Sequence, residues 1–400
     1  MKSSIIAVIP LFLGACAPAS PKDPNESMTD ASVLAPPPQG RGMQLRMMKS
    51  IAPGLESYGC QLFQMPDEDV FIHEQTVQFS AGGHHVLLYV TPYAMIPERD
   101  ENGELVDAAK VHDCSEGVTA RWKVTSVLGG SEIFDHPGMF RGLPEGVAVR
   151  LPQKTVVVMS VHYLNASSHE VDVDARVNLS AITREEMTME AGLLYLDNRF
   201  LHVPPRGKAS SRMRCPIPEN VFVANLQSHL HARGVFFSAT ARDEKLHQST
   251  VVYETKKWLE PPVTTYEPYL ELRAGQFLET RCDYENNEAR AIGYGPKSTD
   301  EMCQLIGPYF PRNADFESCA DASGNDAALW IGQGSADGAA TLDCFDCAGS
   351  VENLDYVACM YDACPSIAER ASAFVRCRLS KDLGSCQGEK LALSKAVCHD

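Results

Sequence analysis

The feature that most constrains this chain is a succession of short apolar or alternating segments between Gly59 and Phe310, separated by Gly, Pro, Asn and Asp. Alternation with a period of two buries one face of a β-strand, and long amphipathic helix patterns are scarce. Segments of this length and spacing are typical of β-sandwiches. The sequence therefore predicts an all-β fold of two tandem antiparallel, jelly-roll-like β-sandwich domains with a small Cys-rich C-terminal module.

The length of 400 residues also favours two medium domains over one. A break near Ala191, followed by the Pro-rich turn at residues 203–207, indicates that the second sandwich starts there. We predict sandwiches at 44–190 and 191–322. The Gly, Ala, Asp and Ser content of residues 323–342 predicts a linker, which leaves 343–400 as the Cys-rich module.

The N-terminus indicates export. Lys2 precedes an apolar run from Ile5 to Leu13, which is too short to span a bilayer but typical of a signal peptide. The run ends in Leu-Gly-Ala-Cys16, which resembles a lipobox, and a plain secretory signal is the alternative. We predict a signal peptide with lipobox at 1–16, a Pro-rich tether at 17–43, and a lipid on Cys16 as the only membrane attachment. The expected location is a bacterial cell envelope, periplasmic or cell-surface, with the outer membrane favoured.

Charge and cysteine content narrow the function classes. A net charge of −17 argues against nucleic-acid binding, which needs clustered Lys and Arg. Fourteen cysteines fit an oxidising compartment, and the thirteen that remain after lipidation of Cys16 leave at least one outside an intrachain pair. A Cys344-x-x-Cys347 motif alone would also suit zinc or redox chemistry. The irregular spacing of the seven tail cysteines favours a disulfide-stapled module: Cys344, Cys347, Cys359, Cys364, Cys377, Cys386 and Cys398.

Two histidine pairs are candidate metal ligands. His229 and His231 fall in a strand-like run from Val221 to Thr240, where residues two apart share a face. Such a pair is also common as surface or core residues. His84 and His85 would point to opposite faces of an ideal strand, so they bind one metal only if the strand bulges, which the preceding Gly82-Gly83 would permit.

Two further residues are uninformative alone. His162 follows the Val-rich run from Thr155, where a partly exposed histidine at a strand end is the ordinary interpretation. Met302 lies in Glu301-Met302-Cys303, and a single methionine is usually core filler.

Together, however, these pieces resemble the copper type II ascorbate-dependent monooxygenases, the family of the peptidylglycine alpha-hydroxylating and dopamine beta-monooxygenases. The resemblance covers about residues 44–322 and lies in the order of five motifs. They are His84-His85 with its apolar run, Val161-His162-Tyr163, His229-x-His231 with Gly234, Arg281-Cys282, and Glu301-Met302-Cys303.

The resemblance implies two copper ions per chain. His84, His85 and His162 would bind the electron-supplying copper, and His229, His231 and Met302 the catalytic copper that activates dioxygen. Neutral imidazoles with a thioether favour Cu(I), whereas zinc enzymes use a carboxylate or thiolate beside histidine. Ascorbate or an equivalent reductant would supply the electrons, and the second would cross a cleft that keeps the two sites apart.

The resemblance further implies disulfides Cys282–Cys303 and Cys215–Cys319, the first of which would position Met302. In the N-terminal domain it leaves Cys60 and Cys114, whose pairing with each other is a hypothesis.

Three positions depart from the peptide-amidating members. Gln227 replaces the Arg that holds the peptide carboxylate, Ile306 replaces a substrate-binding Tyr, and Gln304 replaces an Asn. Peptide amidation is therefore disfavoured, because a site without its polar partner discriminates strongly. Arg233 is a candidate to contact an anionic or hydroxylated substrate, but a structural role is favoured.

The expected function is hydroxylation of an activated C–H in a small organic substrate with dioxygen. A copper-binding or copper-delivery envelope lipoprotein without turnover is the alternative. A third hypothesis, an envelope interaction protein that works through its Cys-rich tail, predicts no copper dependence.

Overall fold

The structure, a computed structural model, describes residues 33–80, 82–131, 138, 140–318, 328–350, 354–379 and 386–399. The predicted signal peptide, lipobox Cys16 and most of the tether lie outside these residues. In the described part of the chain, no helix is both long and apolar enough to cross a membrane.

Among the described residues up to Glu190, ten strands form the first sandwich. They are β1 Gly42–Ile51, β2 Glu56–Gln64, β3 Val70–Phe79, β4 Gly83–Val90, β5 His112–Asp113, β6 Ser126–Ser131, β7 Val147–Leu151, β8 Val156–Leu164, β9 Val171–Ile182 and β10 Met189–Glu190.

The first sandwich consists of two five-stranded sheets around one core. One has the order β1-β9-β3-β7-β10 and the other β5-β2-β8-β4-β6, and all pairs are antiparallel except β7 with β10. Alternating strands such as β3 turn one side inward, where Ile72, Val77 and Phe79 are buried with Val86 and Val161 of the opposite sheet. Each such side chain contributes roughly 1.5–3 kcal/mol when fully buried.

In the part of the chain after Glu190 that the structure describes, eleven strands follow. They are β11 Gly192–Asp197, β12 His202–Val203, β13 Lys208–Pro216, β14 Val221–His229, β15 Gly234–Asp243, β16 Gln248–Thr255, β17 Thr264–Leu272, β18 Phe277–Glu285, β19 Ile292–Gly293, β20 Gln304–Phe310 and β21 Leu329–Trp330.

The second sandwich pairs a sheet of order β11-β20-β14-β17 with one of order β16-β15-β18-β13-β21, and β12 pairs with β19. Leu226 and Leu305 point into its core. The opposite side of the same sheet carries Ala224, Ile306 and Phe310, which belong to the core of the first sandwich. The two sandwiches are therefore joined by a shared apolar contact through the β11-β20-β14-β17 sheet.

The all-β prediction with a Cys-rich terminal region is confirmed. That terminal region is helical, which cysteine spacing did not indicate. A short helix, α1 Ala314–Ser318, follows β20, and the C-terminal helices among the described residues are α2 Gly338–Ala348, α3 Leu354–Asp362, α4 Ala368–Leu379 and α5 Gln387–Ser394.

Disulfides staple these terminal helices as predicted. The bonds are Cys344–Cys359, Cys364–Cys398 and Cys377–Cys386. Cys347 is exposed and free, so among the described residues it is the odd thiol that counting alone could not identify. Phe345, Tyr356 and Phe374 join the core of the second sandwich, so the helices extend that sandwich.

Part of the segment expected to be a linker is ordered. Strand β21 pairs with β13, Trp330 is buried and stacks on Phe200 with ring centroids 4.4 Å apart, and α2 begins at Gly338. Small residues suggested a linker because they lack apolar periodicity. The difference arises because one aromatic anchor is enough to pin this short strand to the sheet edge.

Candidate metal centre

The first histidine set comes together across neighbouring strands. On β8, His162 lies opposite His85 of β4, and the register of this pair shifts between Gly83 and His85. His84 is the extra residue at that shift, so both neighbours turn to the same side, as the bulge hypothesis required. The Nδ1 atoms of His84 and His85 lie 3.1 Å apart.

These three imidazoles are grouped closely enough to share one ion. Each of His84, His85 and His162 offers a ring nitrogen within 4.8 Å of the others, and this is the one such His, Cys, Asp and Glu group among the described residues. Burial, followed by the neighbouring histidines, lowers the pKa of His162 to about 3. His162 is therefore neutral at physiological pH and retains a lone pair for a metal.

A carboxylate fixes the orientation of His162. Its Nε2–H donates to Glu56 Oε1 at 2.7 Å, which leaves Nδ1 as the free nitrogen. Because the imidazole is neutral, this contact is a hydrogen bond to a carboxylate and not an ion pair. Tyr58, opposite His162 on β2, stacks on its ring with centroids 4.1 Å apart and donates its hydroxyl to Glu56 at 2.7 Å.

The second histidine pair is not on one continuous strand, and that expectation was wrong. Strand β14 ends at His229, and His231 begins a tight turn into β15, closed by the hydrogen bond from Gly234 N–H to the His231 carbonyl at 3.0 Å. The rings of His229 and His231 nevertheless lie 5.2 Å apart. The turn therefore brings together side chains that strand alternation was expected to align.

Residues 300 and 301 hold His231 in place. Its Nδ1–H donates to the Asp300 carbonyl at 3.0 Å, which leaves Nε2 as the free nitrogen. Its backbone N–H donates to the Glu301 carboxylate at 3.0 Å, and the Arg233 backbone N–H donates to the same carboxylate at 2.7 Å. Burial lowers the pKa of His231 to about 3 and raises that of Glu301 to about 7.

Met302 follows directly after these residues. Its carbonyl accepts the Tyr284 hydroxyl at 2.7 Å, and the next residue forms the disulfide Cys282–Cys303. The Cys60–Cys114 bond, which the sequence left as a hypothesis, is also present. Cys215 is disulfide-bonded, whereas Cys319 lies outside the described residues.

The two histidine sets adjoin each other, which corrects the expected separation. The ring centroids of His85 and His229 lie 5.6 Å apart. The physical reason is the apolar contact through the β11-β20-β14-β17 sheet, which presses the face carrying His229 against the first sandwich. Five rings thus form a chain of contacts from His84 to His231.

The departures from the amidating enzymes lie on the same sheet face as His229. Gln304 is directly opposite His229, and Ile306 is opposite Gln227. Gln227 donates to the Pro261 carbonyl at 2.9 Å, and Gln304 Nε2 donates to Asp197 at 3.1 Å. Gln304 Oε1 is buried without a partner among the described residues.

Arg233 has a structural role, as favoured from the sequence. It pairs with Glu288 and donates to the Ser298 carbonyl at 2.7 Å. The supporting residues Glu56, Tyr58, Asp300 and Glu301 were not found from the sequence. For Glu301, the available sequence signal was its position beside Met302. Glu56 and Tyr58 could be found only after β2 is paired with β8, because that pairing places them beside His162.

The donor atoms fit copper. Imidazole nitrogens in one set, and two imidazoles followed by a thioether residue in the other, suit a soft or borderline ion that binds nitrogen and sulfur. The Glu56 carboxylate orients His162 from behind and accepts its Nε2–H. Fold and site thus define a two-sandwich protein whose clustered imidazoles suit a transition metal.

The comparisons with known proteins are specific for the second sandwich. Residues 187–330 match the family model described as copper type II ascorbate-dependent monooxygenase, C-terminal domain. This match supports the family prediction for the second sandwich. Among solved structures, this chain is similar to the major capsid protein P2 from bacteriophage PM2. The two chains are 13% identical, the similarity covers 66% of this chain and 97% of that chain, and the TM-score is 0.24.

Proposed function

We propose that this protein is a monooxygenase that binds two copper ions and hydroxylates an activated C–H of a small organic substrate, with dioxygen and with ascorbate or another one-electron reductant. The observation that carries the proposal is the convergence of His84, His85 and His162 beside His229 and His231. The family match of residues 187–330 supports the reaction class.

Each set has a distinct part in this proposal. His84, His85 and His162 would hold the copper that delivers an electron, and His229, His231 and Met302 the copper at which oxygen reacts. Bound copper would supply the one-electron transfer and the oxygen activation that side chains lack. The chain supplies neutral, oriented nitrogens: Nδ1 of His162, held by Glu56, and Nε2 of His231, held by the Asp300 carbonyl.

The contact between the two histidine sets supports electron delivery from the first copper site to the second. Because the rings of His85 and His229 are 5.6 Å apart, an electron would pass between adjacent imidazoles in this arrangement. His162, His229 and His231 are each 5% exposed or less, and His85 is half-buried, so the contact is shielded from solvent on the His229 side.

The side chains near His229 favour a substrate without a carboxylate. Gln227 is neutral and held by a backbone carbonyl. The Arg199 guanidinium is paired with Asp197, which also accepts from Tyr294 at 2.8 Å. Gln304 Oε1 adds a buried acceptor. This surface suits a neutral substrate that offers a hydrogen-bond donor better than a peptide C-terminus.

We also propose that the protein is anchored in a bacterial cell envelope through a lipid on Cys16. The support is the sequence alone: a charged start, an apolar run and small residues before the cysteine.

The test measures metal content and oxygen consumption together. Copper-loaded protein should contain two ions per chain and consume oxygen with ascorbate on a panel of phenethylamine-like, glycine-extended and small aromatic compounds. His162→Ala should lose one ion and the activity. His112→Ala is the matched control, because His112 lies outside the site, where its Nε2–H donates to the Asp107 carbonyl at 3.0 Å. One ion or none at saturation in the unaltered protein would refute the two-copper proposal.

A further inference from the structure

We propose that residues 297–302, called here the clamp segment, fasten the two histidine sets to each other, and that Glu56 and Tyr58 are the positioning residues through which the segment acts on His162. The clamp segment belongs to the second sandwich and ends at Met302. The identity of the metal rests on the proposed function, whereas the clamp itself does not.

On one side, the clamp segment contacts the first sandwich. Lys297 Nζ donates to Glu116 at 2.7 Å. The Ser298 backbone N–H donates to the Tyr58 hydroxyl oxygen at 3.0 Å, and its side-chain hydroxyl donates to Glu56 Oε2 at 3.3 Å.

Those contacts reach His162 through one further bond. Glu56 accepts from His162 Nε2 with its other oxygen, and the Tyr58 ring stacks on the imidazole at an interplanar angle of 14°. The orientation of His162 therefore depends on two side chains that are themselves held by Ser298. A carboxylate that holds a ligating histidine typically contributes about 10–100-fold to metal affinity.

On the other side, the clamp segment holds the second set. The Asp300 carbonyl accepts from His231 Nδ1, and the Glu301 carboxylate accepts the backbone N–H groups of His231 and Arg233. Arg233 in turn donates to the Ser298 carbonyl at 2.7 Å. The clamp segment thus bonds to Glu56 and Tyr58, which support His162, and directly to His231 of the second set.

The geometry also indicates why such a clamp is needed. The apolar contact that joins the sandwiches lies at Ala224, Ile306 and Phe310. Lys297 and Glu116 are largely exposed, with 42% and 71% of their side-chain surfaces accessible, so their pair is weak alone. The clamp is therefore a set of individually weak bonds that act together where the two histidine sets meet.

The first experiment uses the full chain without metal and measures amide hydrogen exchange. Tyr58→Phe with Lys297→Ala keeps the stacked ring but removes the acceptor for Ser298 and the ion pair. Exchange should accelerate tenfold or more in peptides covering the clamp segment and also in those covering residues 229–233, which neither substitution touches.

Tyr93→Phe with Lys123→Ala is the matched control. The Tyr93 hydroxyl likewise donates to a glutamate, Glu101 at 2.9 Å, and accepts a backbone N–H, from Lys123 at 3.0 Å, but within the first sandwich. Its effect should stay near residues 93–123. If the clamp variant leaves residues 229–233 exchanging at the unaltered rate, or if the control accelerates them equally, the clamp is refuted.

The second experiment measures copper affinity by competition with a chelator. Glu56→Ala should lower the affinity for one of the two copper ions about 10–100-fold and leave the affinity for the other unchanged. Glu101→Ala should change neither affinity. Unchanged affinity for both ions in Glu56→Ala would refute the positioning role of Glu56. Failure of the unaltered chain to bind two ions would refute the proposed function instead, and the metal-free exchange result would still decide the clamp.

Discussion

Removal of the disulfide Cys282–Cys303 tests whether the chain around Met302 is held by covalent structure. The perturbation is Cys282→Ala with Cys303→Ala, at two positions that are 0% and 1% exposed. The matched control is Cys60→Ala with Cys114→Ala, an equally buried pair in the first sandwich. Because both variants exchange the same atoms, the cost of lost sulfur volume is similar in both.

The two bonds close loops of different length. The sequence separations are 21 residues for Cys282–Cys303 and 54 for Cys60–Cys114. In the loop-entropy model, these separations correspond to about 3 and about 4 kcal/mol of stabilisation respectively. The control should therefore lose more free energy of unfolding than the test variant, as measured by urea unfolding followed by circular dichroism.

Copper binding should show the opposite order. Cys303 adjoins Met302, and its carbonyl accepts from the Asn198 backbone N–H at 2.9 Å, so loss of the bond loosens the segment that presents the thioether. Affinity for one of two copper ions should fall in the Cys282/Cys303 variant and remain unchanged in the control, under conditions where both are folded. If the two variants lose copper affinity in proportion to their lost stability, the bond has no positioning role and the reasoning is wrong.

Three further outcomes are expected. Met302→Ile should keep the fold, at a cost of about 1 kcal/mol in free energy of unfolding. It should abolish oxygen-dependent hydroxylation, whereas ascorbate should still reduce the copper held by His162 and its neighbours. Hydroxylation at the wild-type rate would exclude Met302 as a copper ligand. Cys16→Ser should release the protein from the membrane fraction, and unchanged fractionation would contradict the lipid anchor. Gly129→Ala should lower the melting temperature, because its φ is +137° and an added Cβ would lie 2.1 Å from Gln75 Oε1; an unchanged melting temperature would show that Gln75 moves away freely.

Much of the site could be predicted because its residues occur as local motifs. The pairs His84-His85 and His229-x-His231 are legible without a fold, and their order relative to His162 and Met302 indicated the family. The bulge that turns His84 was also predictable, since Gly82 and Gly83 precede it. Alternating segments likewise determined the all-β class, because a period of two is a property of the backbone.

The turn at His231 and the C-terminal helices could not be predicted from the sequence. A strand that breaks after His229 has the same local composition as one that continues, and only the bonds to Asp300 and Glu301 decide where it ends. The number of cysteines predicted that disulfides crosslink the C-terminal module. It carried no information on the helices of that module, whose apolar faces are set by contact with the second sandwich.

The sequence by itself identified the candidate metal ligands, the all-β class and the chemistry that these ligands suit. Only the tertiary structure decided that His85 and His229 are neighbours, since that contact depends on how the sheet bearing Ile306 packs on the first sandwich. It also decided that Ser298 meets Tyr58 across 240 residues of chain. Periodicity and motif spacing describe what is close along the backbone, whereas contacts between domains arise from the packing of whole faces, which no local pattern encodes.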